Sequence, residues 1–444
     1  MDGISLSFVS LVRGVIGILF LLLLSYLLSE NRRRVDFKLV GIGLLLQLLF
    51  AVAIMYVPAF SALLEGCGRV FVKLMDFTSA GLTFLLGPYA SKANGFSFLI
   101  HSLPIVIFFS ALISLLYYWG VIQRVVGAFA WLLRKFVKIS GAEGLVTTGN
   151  VFMGMTEAPV LIKNYLPTMN RSEIFLVMVA GMGTISGSVM GTYIGMLAAD
   201  DPASRVVFAK HLLSASIMAG PGAIGVHSAM PSSRAKMLCP QTEPVIDRPM
   251  GPEREGRVSN FLEAIANGTG TGVKLMTNIA AMLLVFVSLV AMANYFLKDL
   301  VGSWLGINDW IVEMTNGKSE GLTFQFLVGA VTAPFMWLLG VPSDDMFLVG
   351  SLFGQKTILN EFVGYFQMQE WREAGLFTYE KSVLMSTYIL CGFANIGSIG
   401  IILGGLGVLA PEKREVISRM GIRSLIGGAL VSLLSATIIG MIIG

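Results

Sequence analysis

Apolar stretches alternate with short polar punctuation along most of this 444-residue chain. A helix needs roughly 20 apolar residues to cross a hydrocarbon core, and about eight segments reach that length and hydropathy. They run from Phe8 to Leu28, Leu39 to Val57, Phe96 to Trp119, Ile174 to Leu197, Val206 to Val226, Met276 to Leu297, Ser382 to Leu406 and Ile422 to Ile443. Other apolar stretches do not fit as crossings. Val121 to Lys138 sets Trp131, Leu132 and Phe136 beside Arg124, Arg134 and Lys135, the pattern of a helix lying in the membrane interface. Ala59 to Leu82 and Phe324 to Gly340 read the same way.

The second pattern is interruption. A glutamate occurs twice at the turn of an apolar hairpin, as Glu157 in Gly149 to Pro159 and as Glu361 in Gly354 to Val363. Each hairpin is followed by an apolar segment broken by small polar residues, Ala180 to Ser188 in the first case and Cys391 to Ser398 in the second. The order span, interfacial helix, hairpin, broken span, span therefore occurs twice. The first round begins outside and the second inside, an inverted repeat of the kind that builds alternating access around a midplane site. The expected fold is an all-α polytopic membrane protein with interfacial helices and two re-entrant hairpins. Its parts are residues 1–95 as scaffold helices, 96–229 as the first repeat with hairpin 139–166, 230–275 as a cytoplasmic loop leading into the next helix, and 276–444 as the second repeat with hairpin 341–368.

Composition supports the membrane. Charged residues make up 13% of the chain, where a soluble domain has roughly 25%. The net charge of +4 is carried by short juxtamembrane runs rather than by a basic stripe, which excludes nucleic acid as a partner. Those runs set orientation. The loop at Glu30 to Arg34 belongs in the cytoplasm with the N-terminus outside. Alternation then places Arg134, Lys135, Lys138, Lys163 and Arg171 inside, Asp200 and Asp201 outside, and both Arg234 to Arg257 and Lys413 to Arg423 inside. Met1-Asp2-Gly3 has no basic n-region, so the first span is expected to be retained. Cys67, Cys239 and Cys391 have no metal-like spacing.

A non-helical turn at membrane depth is tolerated only where it is buried in protein or lines a wet cavity, so the tips mark the cavity. A carboxylate there costs several kcal/mol unless it faces a partner or a ligand. Glu157 and Glu361 either pair with Lys163 or Lys356 or accept hydrogen bonds from a polyhydroxylated solute. Thr156, Asn360, Asn395 and Ser398 add neutral donors and acceptors suited to a polar, uncharged ligand. Asn150 and Thr184, with carbonyls freed by unwinding, offer a hard-oxygen shell suited to Na⁺. His101, His211 and His227 are read as packing or rim residues. Two other classes use some of these parts. An intramembrane enzyme would need the two carboxylates close together, and a channel would need a continuous polar stripe.

The stretch Gly354-Gln355-Lys356-Thr357-Ile358-Leu359-Asn360-Glu361-Phe362-Val363 resembles the signature of the concentrative nucleoside transporter family. Ser29 to Arg32, Thr156 to Pro159, Cys391 to Asn395, Gly404 to Gly407 and Ala410 to Glu412 are similar to further runs of that family, and the likeness covers nearly the whole chain. The resemblance implies a homotrimeric symporter, not an enzyme, that carries nucleosides inward across the inner membrane, with Na⁺ favoured as coupling ion and H⁺ as the alternative. It implies that Met155, Thr156 and Glu157 face the base, that Glu361, Asn395 and Ser398 bind ribose hydroxyls, and that Val189 and Phe393 pack on the nucleoside. For Na⁺ it implies the side chains of Asn150 and Thr184 and the carbonyls of Met153 and Ile185. Many members carry glutamine where this chain has Met155, so the reading of the base edge differs here.

Overall fold

A computed structural model describes residues 7–90, 97–137, 139–198, 201–230 and 258–443. Lys138, Asp200, Cys239 and the basic stretch Arg234 to Arg257 lie outside the described residues. The chain is all-helical among the described residues. Its main helices are α1 (Phe8–Leu27), α2 (Phe37–Tyr56), α3 (Pro58–Leu86), α4 (Ile105–Tyr118), α5 (Val121–Phe136), α6 (Gly141–Gly149), α7 (Arg171–Gly183), α8 (Gly187–Leu197) and α9 (Pro202–Ala229). The second half supplies α10 (Phe261–Asn294), α11 (Phe324–Leu338), α12 (Met346–Ile358), α13 (Glu361–Glu373), α14 (Glu380–Leu390), α15 (Ile396–Leu409) and α16 (Arg414–Ile442).

Eight helical stretches among the described residues are long and apolar enough to cross a membrane, but their membership differs from the hydropathy reading. The stretch expected as one span from Ser382 to Leu406 is two shorter helices, α14 and α15, parted at Cys391–Asn395. Ala59 to Leu82, expected as an interfacial segment, belongs to a 29-residue helix that meets the length and hydropathy of a span. Its buried positions Leu64, Gly68, Val72, Met75 and Thr78 form one stripe, so it is amphipathic as well as long. The span expected from Met276 starts at Phe261, because Asn267, Thr269, Thr271 and Lys274 dilute the hydropathy of its first turns. Likewise α16 begins at Arg414 rather than Ile422, its first turns being charged.

The core is built on α16, which is buried along nearly its whole apolar length, as is the α7–α8 stretch. A helix buried all round cannot be amphipathic, and α16 is instead lined by small residues. Gly427 lies against Val179, Gly428 against Met182 and Gly440 against Met385. Two of its hydroxyls are absorbed by its own backbone, with Ser435 Oγ on the Val431 carbonyl at 3.1 Å and Thr437 Oγ1 on that of Leu433 at 2.8 Å. A Cβ on Gly428 would sit 2.6 Å from Met182 Cβ and 2.9 Å from the Met182 carbonyl carbon. Gly428→Val is therefore expected to cost about 3 kcal/mol through forced backbone separation. Gly404→Val, where an added Cβ meets nothing within 4 Å, is the control. Thermal unfolding in detergent distinguishes them, and equal midpoints for the two variants would refute this packing argument.

The outer elements are of another kind. Helix α10 is exposed along most of its apolar window and touches α4 through Gly268 and Gly272, where backbones approach closely enough that a Cβ would strike Ala111 and Ile107. Glu30 pairs with Arg423 and, at 4.0 Å, with Arg171. Three groups that charge patterning assigned to one side of the membrane thus meet in the fold.

Candidate functional site

Two helix breaks cross in the middle of the protein. The first lies between α7 and α8 at Thr184–Ser186, the second between α14 and α15 at Cys391–Asn395. Phe393 N donates to the Thr184 carbonyl at 3.2 Å, so the backbones touch. Gly392, with φ of 158°, makes the approach feasible, because a Cβ there would lie 2.7 Å from Ser432 Oγ and 3.0 Å from the Met182 carbonyl oxygen.

Two helix pairs bring their tips to this crossing. In the first, α6 is started by a capping box in which Glu143 N donates to Ser140 Oγ at 3.2 Å and Ser140 N to Glu143 Oε2 at 2.8 Å. The chain turns at Asn150–Glu157 and returns as a 3₁₀ segment, Ala158–Ile162, rather than a regular helix. Pro159 at its start has no N–H to extend a helical ladder. Gly187 N donates to the Phe152 carbonyl at 3.2 Å, which fastens this tip to the first break. In the second pair α12 and α13 meet at Asn360, whose Oδ1 caps α13 by accepting from Val363 N at 3.0 Å.

Glu361 opens α13, where a carboxylate is favoured by the helix dipole, and it is almost fully buried. Its Oε1 accepts from Tyr193 OH at 3.0 Å and its Oε2 from Asn395 Nδ2 at 2.9 Å. Lys356, a competing partner on the sequence, is used elsewhere. Its Nζ donates to the Ile389 carbonyl at 2.7 Å and to Ser432 Oγ at 3.3 Å, which satisfies the C-terminal end of α14. Asn395 is itself the N-cap of α15, its Oδ1 accepting from Ser398 N at 2.9 Å. Ser398 Oγ is buried without a hydrogen-bond partner among the described residues.

Glu157 lies in the other tip, half-buried, with Oε2 accepting from Gly154 N at 3.3 Å. Thr156 rests its methyl against Gly405 of α15, and Met155 packs on Gly181 of α7. Val189 is buried on α8, and Phe393 is partly buried beside Thr184. The structure thus joins Glu361, Asn395 and Ser398 directly and places Thr156 on the same α15. Ser398 and Gly405 are seven residues apart on one face, about 10 Å along the axis. Glu157 and Glu361 belong to different tips and share no hydrogen-bond partner among the described residues, unlike the close pair that acid–base chemistry on two carboxylates requires.

The oxygens that the sequence reading assigns to a cation differ in how far the protein itself uses them. Asn150 Nδ2 donates to the Val146 carbonyl at 3.0 Å, while its buried Oδ1 has no partner among the described residues. Thr184 Oγ1 donates to Ala180 at 3.0 Å, as threonines on helices often do, and keeps its lone pairs. No backbone hydrogen bond among the described residues ends on the carbonyl of Met153 or Ile185. Of the histidines, His211 meets Tyr388 OH at 3.2 Å and His227 meets Ser172 Oγ at 2.9 Å, both as packing groups outside the crossing. Sequence reasoning missed Tyr193. It belongs to no quoted motif, and only its place on the helix after the first break could have marked it.

Comparison with known proteins agrees with this architecture. Residues 16–89 match the N-terminal and 211–440 the C-terminal part of the Na⁺-dependent nucleoside transporter family, and residues 99–200 match a nucleoside-recognition gate domain. An uncharacterized transporter of Haemophilus influenzae is 36% identical over 98% of each chain. The nucleoside permease NupC of Helicobacter pylori is 34% identical over 97% of each. The chain is also 34% identical to human solute carrier family 28 member 3, of which it spans 59%. Among solved structures, CNTnw in an inward-facing substrate-bound state superposes with a TM-score of 0.85 at 30% identity over 98% of each chain. A variant of CNTnw in an outward-facing state gives 0.88 over 99% of this chain. The family and structural neighbours are transporters captured in different access states, and this chain is a multi-pass membrane protein that belongs with them to the concentrative nucleoside transporter family.

Proposed function

We propose that the protein is a cation-coupled symporter that imports nucleosides across the inner membrane, with Na⁺ as the coupling ion. The observation that carries the substrate end is the Glu361 carboxylate, fixed by Tyr193 and Asn395 at the meeting of two helix breaks. A carboxylate has about four lone-pair sites, and two remain for ribose hydroxyls. Ser398 Oγ, on the helix that Asn395 caps, is a buried group without a partner among the described residues. Thr156, which rests against Gly405 two turns along α15 from Ser398, and its neighbour Glu157 serve the base, with Met155, Val189 and Phe393 packing on the ligand. Because Met155 offers no amide, Glu157 and Thr156 carry the polar contacts to the base edge.

For the ion, the buried Asn150 Oδ1, the Thr184 hydroxyl and the carbonyls of Met153 and Ile185 are all oxygens, the donor type for a hard cation. Na⁺ here is cargo that orders the first tip. In this reading the two tips are re-entrant hairpins at 139–166 and 341–368, residues 96–229 and 276–444 form inverted repeats, and residues 1–95 belong to the scaffold. The subunits form a homotrimer in the bilayer, and the N-terminus faces outward.

The test is uptake of labelled uridine and adenosine into proteoliposomes under an imposed Na⁺ gradient and, separately, a pH gradient. Accumulation driven by Na⁺ alone supports the reading in full. Accumulation driven only by protons keeps the nucleoside and overturns the ion, and no accumulation under either gradient overturns both.

A further inference from the structure

Resting on the nucleoside reading above, we propose that Tyr193 is the positioning residue that makes Glu361 selective for a ribose hydroxyl. Tyr193 sits in α8, in the first half of the chain, whereas Glu361 and Asn395 belong to the second. Its side chain is fully buried, and its ring lies 4.5 Å from that of Tyr365 and 4.8 Å from that of Phe362, centroid to centroid. These two rings leave the phenol little freedom to turn. Tyr365 is not an alternative donor, because its own OH is committed to the Thr387 carbonyl at 3.0 Å. The Tyr193 hydroxyl is therefore the group that holds Oε1 of Glu361, at 3.0 Å.

The opposite side of the carboxylate is fixed independently. Asn395 must present its amide nitrogen to Glu361, because its oxygen is used to cap α15 through Ser398 N. With one donor on each oxygen the carboxylate plane is set, and its remaining lone pairs point in defined directions. A buried carboxylate held on one side only would swing, and it would accept from water or from a misplaced hydroxyl almost as well. Preorganised acceptors discriminate against a ligand that lacks the hydroxyl because the acceptor is then left unpaired. Tyr193 contributes to selectivity in this way without a contact to the ligand.

The experiment uses the intact transporter and Tyr193→Phe, which keeps the ring packed on Tyr365 and Phe362. Affinities of uridine, 2′-deoxyuridine and 3′-deoxyuridine are measured for both proteins. Wild type is expected to bind at least one deoxy analogue more weakly, and that analogue identifies the hydroxyl that reaches Glu361. In Tyr193→Phe the uridine Kd is expected to rise about tenfold, the loss of one oriented hydrogen bond, while that analogue changes no more than about twofold and the preference collapses. Equal weakening of all three ligands would mean a merely structural role and overturn the proposal. An unchanged preference, or a wild type that does not discriminate, would also overturn it. A wild type that binds no nucleoside at all would instead overturn the functional reading on which it rests.

Discussion

Glu361→Gln is expected to reduce nucleoside uptake at least 100-fold while the fold, and the proposed homotrimer with it, is retained. In the wild type both oxygens of Glu361 accept, one from Tyr193 and one from Asn395. Substitution by glutamine replaces an acceptor by an NH₂ donor, which must then face another donor, either the phenol or the Asn395 amide. The phenol can rotate to accept, so the fold tolerates the change. The ligand cannot be accommodated as easily, because hydrogen bonds to a charged acceptor are worth about 1.5–3 kcal/mol each and two of them are weakened. A loss of about 3 kcal/mol corresponds to a factor of more than 100 in affinity. Initial uptake rates in proteoliposomes, with thermal midpoint and oligomer size measured beside them, check this. Uptake above a tenth of wild type, or loss of the oligomer, would remove Glu361 from the substrate site.

The second large effect is on coupling. Asn150→Leu keeps the approximate volume of the side chain but removes the buried Oδ1 that has no protein partner among the described residues. The nucleoside affinity of the wild type is expected to rise at least tenfold on adding Na⁺, which amounts to about 1.4 kcal/mol of coupling. In Asn150→Leu that gain is expected to shrink to twofold or less. The variant should also be as stable as wild type in Na⁺-free buffer, because an unsatisfied buried acceptor is itself costly, by about 1–3 kcal/mol. Its thermal midpoint should no longer respond to Na⁺. Nucleoside titrations with and without Na⁺ measure the first effect and thermal scans the second. A full Na⁺ response in the variant would move the ion site elsewhere.

The legible parts of the site were those where membrane physics makes a residue expensive. Glu157 and Glu361 stand out because a carboxylate in an apolar hairpin needs a reason, and the breaks at Thr184–Ser186 and Cys391–Asn395 are signalled by glycine and serine interrupting apolar runs. Asn360 and Asn395 were legible as polar groups at the breaks, and their N-capping roles emerge only in the structure. Tyr193 was not legible, since a tyrosine in an apolar helix is ordinarily packing and its partner lies 168 positions away. The extent of α10 and α16 was misjudged for a different reason. Hydropathy windows stop where polar side chains dilute the average, but a helix continues as long as its backbone hydrogen bonds do. The crossing of the two breaks could not be read at all, because it is held by a backbone amide and carbonyl that carry no residue identity.

The partners of Lys356 have a consequence for how the protein is made. Ile389 and Ser432 lie 33 and 76 residues downstream of Lys356, and Ser432 belongs to α16, the last long helix. During synthesis the lysine is complete well before either acceptor exists. An unpartnered lysine at the bilayer centre costs about 2.5–3.5 kcal/mol on the insertion scale. Lys356 therefore reaches its satisfied environment only after α14 and α16 have been made. The lysine that ties α12 to α14 and α16 is in this way satisfied late, only once the last long helix of the described residues has been made.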